Sequence, residues 1–252
     1  FNVCTTILLL PFGTYLAEFA QRILPVENKE TEDDRLLYLQ PLPKSKKMIG
    51  GAAISVKQIN DETMHMLELA YENVNQAFGQ LLQFSDKIDE QIYKREDTVN
   101  YLDKVISEYI STALATPNLN VNISQALSSY YLMLVDIERI SDYAVNMNHQ
   151  ATKRLQDQMT ISEIEIVEHM KKLCVDMKND LNDVDEAERK DDVIDSLVSS
   201  WRDAQIQALK QQKCSSEVSM MLSRIFTDFE RINDHALNVS QELDKITVEI
   251  PE

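Results

Sequence analysis

From residue 52 to about residue 248, apolar positions recur every three or four residues, the spacing that lines one face of a helix. Met64, Leu67, Ala70, Val74, Ala77 and Leu81 form one such stripe. The stripes break near Ser85–Asp86, at TPNLNVN (116–122), at Met159–Ile161, around Asn182–Asp185 and at Cys214–Ser216. Asp86, Asn120, Thr160 and Ser215 or Ser216 stand where helix N-caps are needed. The pattern predicts six helices, three on each side of about residue 157. The expected fold is all-α, two tandem three-helix bundles over 52–157 and 158–252, with the first helix of each mainly packing.

Ahead of residue 52 the pattern changes. FNVCTTILLLPFGTYLA carries no charge until Glu18, and seventeen residues of helix span roughly 25 Å, just short of a hydrocarbon core. Pro11 and Gly13 suit a membrane bundle better than a soluble helix. Residues 1–25 are therefore expected to be the end of a membrane domain, with a buried core helix as the competing reading. From Pro25 to Gly51 the chain turns charged and proline-containing, which predicts a linker over 26–51. Within it Leu36, Leu37 and Leu39 are expected to press against other residues. The basic KSKK (44–47) lies either in solvent or beside anionic headgroups.

Composition agrees with the helical reading. Four glycines in 252 residues, and no proline between Pro117 and Pro251, leave few tight turns. A net charge of −17 argues against nucleic acid, whose phosphates demand a basic surface. Cys4, Cys174 and Cys214 show no CxxC or CxxH spacing, which points to a reducing cytoplasm without disulfides or a zinc knuckle.

The two halves repeat each other. DIERISDYAVN (136–146) aligns with DFERINDHALN (228–238), ninety-two positions on, with seven of eleven residues identical. A weaker echo pairs KREDTVNYLDKVISEYI (94–110) with ERKDDVIDSLVSSWRDA (188–204), setting Glu96 opposite Asp191 and Asn100 opposite Asp195. Glu138 with Asp142, and Glu230 with Asp234, lie four residues apart, about 40° around a helix. Leu134, Val135 and Val145 share the first pair's sector, Phe226 and Leu237 the second's. Like charges at this spacing cost about 0.2–0.5 kcal/mol even when exposed, so something must offset them. Asp136–Arg139 and Asp228–Arg231 are expected to be surface ion pairs, but an arginine one position along points about 100° away from Glu138 or Glu230. Carboxylates from two helices converging on a hard cation are the better fit. Solvated faces merely copied by duplication remain the alternative.

Catalysis has no visible support. His65, His149, His169 and His235 show no Glu-x-x-His spacing, and no Ser/His/Asp set, phosphate loop or HExxH occurs. His149 and His169 are expected at the surface, and His235 merely follows Asp234.

ERISDYAVN and ERINDHALN resemble the ERIGDHAxN signature of the PhoU family, over roughly residues 55–248. The resemblance implies two three-helix bundles, a role in governing phosphate uptake, and Glu/Asp-x-x-x-Asp motifs that bind metal ions such as iron, manganese or zinc. Carried over by residue, the ligands would be Glu138, Asp142, Asp191, Asp195, Glu230 and Asp234, with Glu96 and Asn100 as a departing fourth pair, since an amide carries no charge. FNVCTTILLLPF is similar to the end of the membrane domain in bacterial sodium/phosphate cotransporters, which precedes a PhoU-like tail. The combined resemblance implies the cytoplasmic regulatory tail of a sodium-dependent phosphate symporter in a bacterial inner membrane. Its partners would be its own transport domain, with sodium and phosphate as transported ions. The rivals are a soluble PhoU-type regulator and a structural bundle without metal. Monomer and homodimer both fit.

Overall fold

Apolar spacing, with side-chain caps at some of the helix starts, sets the helices. The computed structural model describes residues 35–39, 52–115, 117 and 119–249, and the expectations for 1–25 and most of the linker lie outside them. Six helices and no strand occur among the described residues. They are α1 (Ala52–Leu82), α2 (Asp86–Leu114), α3 (Val121–Ala151), α4 (Ile161–Asn179), α5 (Val184–Lys210) and α6 (Ser216–Glu249), with a 3-10 turn at Gln156–Gln158 before α4. None of them is long and apolar enough to cross a membrane.

Three of the expected caps form. Asn120 accepts a hydrogen bond from the Asn122 amide at 2.8 Å, and Ser215 Oγ accepts one from Glu217. Thr160 builds a reciprocal capping box with Glu163. Asp86 does not cap: Ser85 takes the N-cap position, and Asp86, one residue inside, pairs with Arg154. The α1–α2 turn is closed by Gln80, whose amide accepts from Ser85 N at 2.7 Å and donates to Ser85 O at 2.9 Å. Asp183, which the pattern did not single out, caps α5 by accepting from Glu186 N.

Packing places α1, α2 and α3 against one another, and α5 against α6. α3 and α6 pack together across the middle, and α1 meets α4. One hydrophobic core runs through both halves. Leu67, Ala70, Val74, Ala77 and Leu81 of the predicted stripe are buried, and Met64 lies at its edge. Phe78 of α1 meets Phe229 of α6 edge-on, at 6.3 Å between ring centres.

The end of the linker is held down, but not by leucines alone. Leu39 is 4% exposed and Leu36 packs on the core, while Leu37 faces solvent. The fastening is polar. The carboxylate of Glu62, buried on α1, accepts the backbone amides of Leu37, Tyr38 at 2.7 Å and Leu39 at 2.8 Å. Arg35 lies 3.6 Å over the Tyr101 ring. Three amides converging on one ionised group are a stronger tether than any single apolar contact here.

Candidate functional site

In the first repeat α2 presents Glu96 toward α3. Glu96 is buried, accepts from Asn100 Nδ2 at 3.1 Å and from the Ser141 hydroxyl. Burial pushes its carboxyl upward; Ser141 pulls it back, and Asp142 and Glu138 push it up again. Glu138 is raised by burial first and by Asp142 next, with Arg139 opposing. Asp103, two turns beyond Glu96, also bears on Glu138 and is itself raised by burial. Its place on the same stripe of α2, seven residues after Glu96, is the signal for it in the sequence, where it forms no four-residue acidic pair with Glu96 or Asn100. Val135 is 49% exposed, so the acidic face is open on one side while Leu134 seals the other.

The second repeat is similar in part. α5 and α6 bring Asp191 under the influence of Asp195 and Asp234. Burial, then these two, then Asp192, push the Asp191 carboxyl up to about 6. One buried oxygen of Asp191 receives no hydrogen bond from the described residues. Glu230 stands apart from this group because it is taken by Arg202 of α5.

The arginines behave differently from expectation. Arg139 does not pair with Asp136. It places Nη1 3.1 Å from Asp142 and Nε 3.6 Å from Glu138, and Arg231 likewise sits 3.0 Å from Asp234. A long, flexible side chain folds back over its neighbour, so the Arg139 guanidinium reaches Glu138 despite the roughly 100° between their Cα positions. Asp136 is already occupied. His235 Nδ1 lies 2.7 Å from it and Asn238 Nδ2 donates at 2.9 Å. His235, expected merely to follow Asp234, therefore joins α6 to α3, and its ring stacks on Tyr143 at 5.8 Å. His149 and His169 are exposed, the latter against Trp201.

Among the described residues no three His, Cys, Asp or Glu side chains stand in a ready metal-ligand arrangement. The donor types nevertheless fit a hard cation, and the orphaned buried oxygen of Asp191 is the kind of group that a cation satisfies. Asp142 and Asp234 are each 39% exposed, so their arginine pairs are worth about 0–1 kcal/mol and yield readily. Glu96 fits less well, its oxygens being already engaged by Ser141 and Asn100.

Known proteins resemble this chain over both repeats. The PhoU domain matches residues 63–151 and again 161–243, once per repeat. Over 200 residues the chain is 24% identical to the phosphate-specific transport system accessory protein PhoU homolog 1 of Thermotoga maritima, an alignment covering 73% of this chain and 84% of that protein. The crystal structure of PhoU from Pseudomonas aeruginosa has the same fold, with a TM-score of 0.69 at 18% identity over 79% of this chain and 99% of that one.

Proposed function

The chain belongs to the PhoU domain family, and from that premise we propose that it is an accessory regulator of phosphate transport whose acidic helix faces hold metal. The observation that carries this reading is the acidic motif of DIERISDYAVN and DFERINDHALN, which recurs inside both matched segments. Its partner is a phosphate transporter, acted on from outside the transport path. Asp191, Asp195 and Asp234 would hold a cation in the second repeat, and Glu138, Asp142 and Glu96 in the first. The bound ion, iron, manganese or zinc, supplies positive charge that fixes the spacing of α2 against α3 and of α5 against α6. Arg139 and Arg231 neutralise the same carboxylates in the metal-free protein and swing away when the ion binds.

Two measurements test the reading. Full-length protein purified without chelator should carry stoichiometric metal by inductively coupled plasma mass spectrometry. Asp191→Asn with Asp234→Asn should remove the second-repeat share, and unchanged metal content would sink that ligand assignment. In cells lacking the chain, phosphate uptake should no longer fall when external phosphate is plentiful; normally regulated uptake would defeat the transport role.

A second reading is favoured by one observation, the seventeen uncharged residues before Glu18. In it the regulator is joined covalently to a sodium-coupled phosphate transport domain, with the Glu62-bound segment as the attachment. Carbonate-resistant sedimentation of the full chain with membranes supports that tether, and recovery in the supernatant removes it.

A further inference from the structure

The two repeats treat one buried contact differently. In the first, the Ser141 hydroxyl of α3 donates to Glu96 of α2, and Asn73 of α1 donates to Ser141 Oγ at 3.1 Å. Donor meets acceptor at each step, and all three side chains are buried. Ninety-two residues after Ser141 stands Asn233 of α6, and ninety-five after Glu96 stands Asp191 of α5. In this second pair a hydroxyl has become an amide, and the bond between the two helices is not made. Asp191 Oδ1 and Asn233 Oδ1 are both buried, and neither receives a hydrogen bond from the described residues.

Asn233 is 1% exposed, and turning its amide over does not relieve the mismatch. Its Nδ2 donates to Phe229 O at 2.7 Å, with Cys174 Sγ of α4 4.0 Å away. Exchanging nitrogen and oxygen would set two acceptors against each other at Phe229, so the oxygen is the atom left over. A hydroxyl here rotates and donates, as Ser141 does, whereas an amide oxygen only accepts. An acceptor stranded at this depth bears the full desolvation of the group. The repeat sets it opposite Asp191, whose own buried oxygen is stranded in the same way.

Two acceptors set opposite each other need something positive between them. A water molecule donates to both, but it leaves Asp195 and Asp234 acting on Asp191 as before. A cation answers all four groups at once. Carbonyl oxygens beside carboxylates are ordinary ligands of hard cations, and they add coordination without adding repulsion. We propose that Asn233 Oδ1 is a metal ligand, completing an all-oxygen set with Asp191, Asp195 and Asp234 for a hard divalent cation. The first repeat has no equivalent ligand, because Ser141 commits its proton to Glu96. The cation is therefore held more tightly in the second repeat than in the first. This rests on the reading that the acidic helix faces hold metal, and it adds which repeat holds it best and which neutral group closes the site.

The probe is Mn2+ alone, titrated into the metal-stripped full chain and followed by loss of the free-ion signal in electron paramagnetic resonance. The wild type should show one site about tenfold or more tighter than any other, and Asp191→Asn with Asp234→Asn should abolish it. Asn233→Ser installs the hydroxyl of the first repeat. It should weaken the tight site about tenfold or more, while the melting temperature of the metal-free chain holds or rises, since serine donates to Asp191. Asn233→Ala should weaken Mn2+ to the same extent. A purely packing role for Asn233 gives the opposite pattern, a lowered metal-free melting temperature with Mn2+ affinity unchanged, and overturns the inference. Unchanged affinity in both Asn233 variants, with the site still lost in the aspartate double variant, removes Asn233 as a ligand and leaves the metal reading standing. A tight site that survives that double variant and is lost in Glu138→Gln with Asp142→Asn places the cation in the first repeat and also overturns the inference. No Mn2+ bound at millimolar concentration removes the inference and the metal reading together.

Discussion

At Asp191, burial and two neighbouring aspartates act in the same direction, and the consequence can be measured. Its carboxyl titrates near 6 in the folded chain against an ordinary value of about 4. The folded state therefore binds the proton more tightly than the unfolded chain does. The sign follows: the stability associated with this group is complete below pH 4 and is lost as pH rises through about 6. In metal-free protein Asp191→Asn should raise stability at pH 7 by on the order of 1 kcal/mol once solvent screening is allowed for, and should change nothing at pH 4. Urea unfolding at the two pH values checks this. Equal effects at both would show that the carboxylate is not strained. The sequence exposed the identity of such acids but not their rank. Asp191 and Asp195 look equivalent in the text KDDVIDS, yet only Asp191 has an oxygen shut away from every donor described.

Helices were the most legible scale, because apolar spacing and caps are local signals. Thr160 is legible as a cap, and the structure adds Glu163 as its capping-box partner, which also accepts from Gln205 Nε2 at 2.7 Å and ties α4 to the end of α5. Thr160→Ala should cost about 1 kcal/mol, and Glu163→Ala more, since it also strands the buried Gln205 amide; denaturant midpoints rank the two. Helix ends were harder to place, and the scarcity of glycine explains why. α5 closes with Gln212 at φ 56°, its amide bonded to Leu209 O and that of Lys213 to Ala208 O, a turn that usually recruits glycine. Gln212→Gly should therefore stabilise the chain by about 0.5–1 kcal/mol. Arg154, also left-handed at φ 52°, should not gain from the same change because its side chain holds Asp86 and covers Phe84. The Glu62 tether was invisible in sequence, since its partners are backbone amides more than twenty residues away. Glu62→Gln keeps the shape and removes the charge, so amide exchange at Leu37–Leu39 should accelerate about tenfold or more.

For the molecule as a whole, duplication was readable and its consequences were not. The repeat announced two bundles, but the stacking of Tyr143 on His235 depends on how α3 and α6 meet, a contact between residues ninety-two apart. The paired acidic positions of the candidate site were legible as positions, whereas Asp103, which bears on Glu138, was not. Their partition was not, because Arg202 comes from a neighbouring helix to take Glu230, while Arg139 and Arg231 fold back onto Asp142 and Asp234. If the duplicated acidic face lets the chain restrain phosphate transport, removing it should free uptake from control. The most direct measurement is labelled phosphate uptake in the host, with its own copy replaced by the variant Glu138→Gln, Asp142→Asn, Asp191→Asn, Asp234→Asn at matched abundance. Uptake should then no longer fall when external phosphate is raised. Uptake regulated as in the wild type, from a variant equally folded and equally abundant, would contradict it.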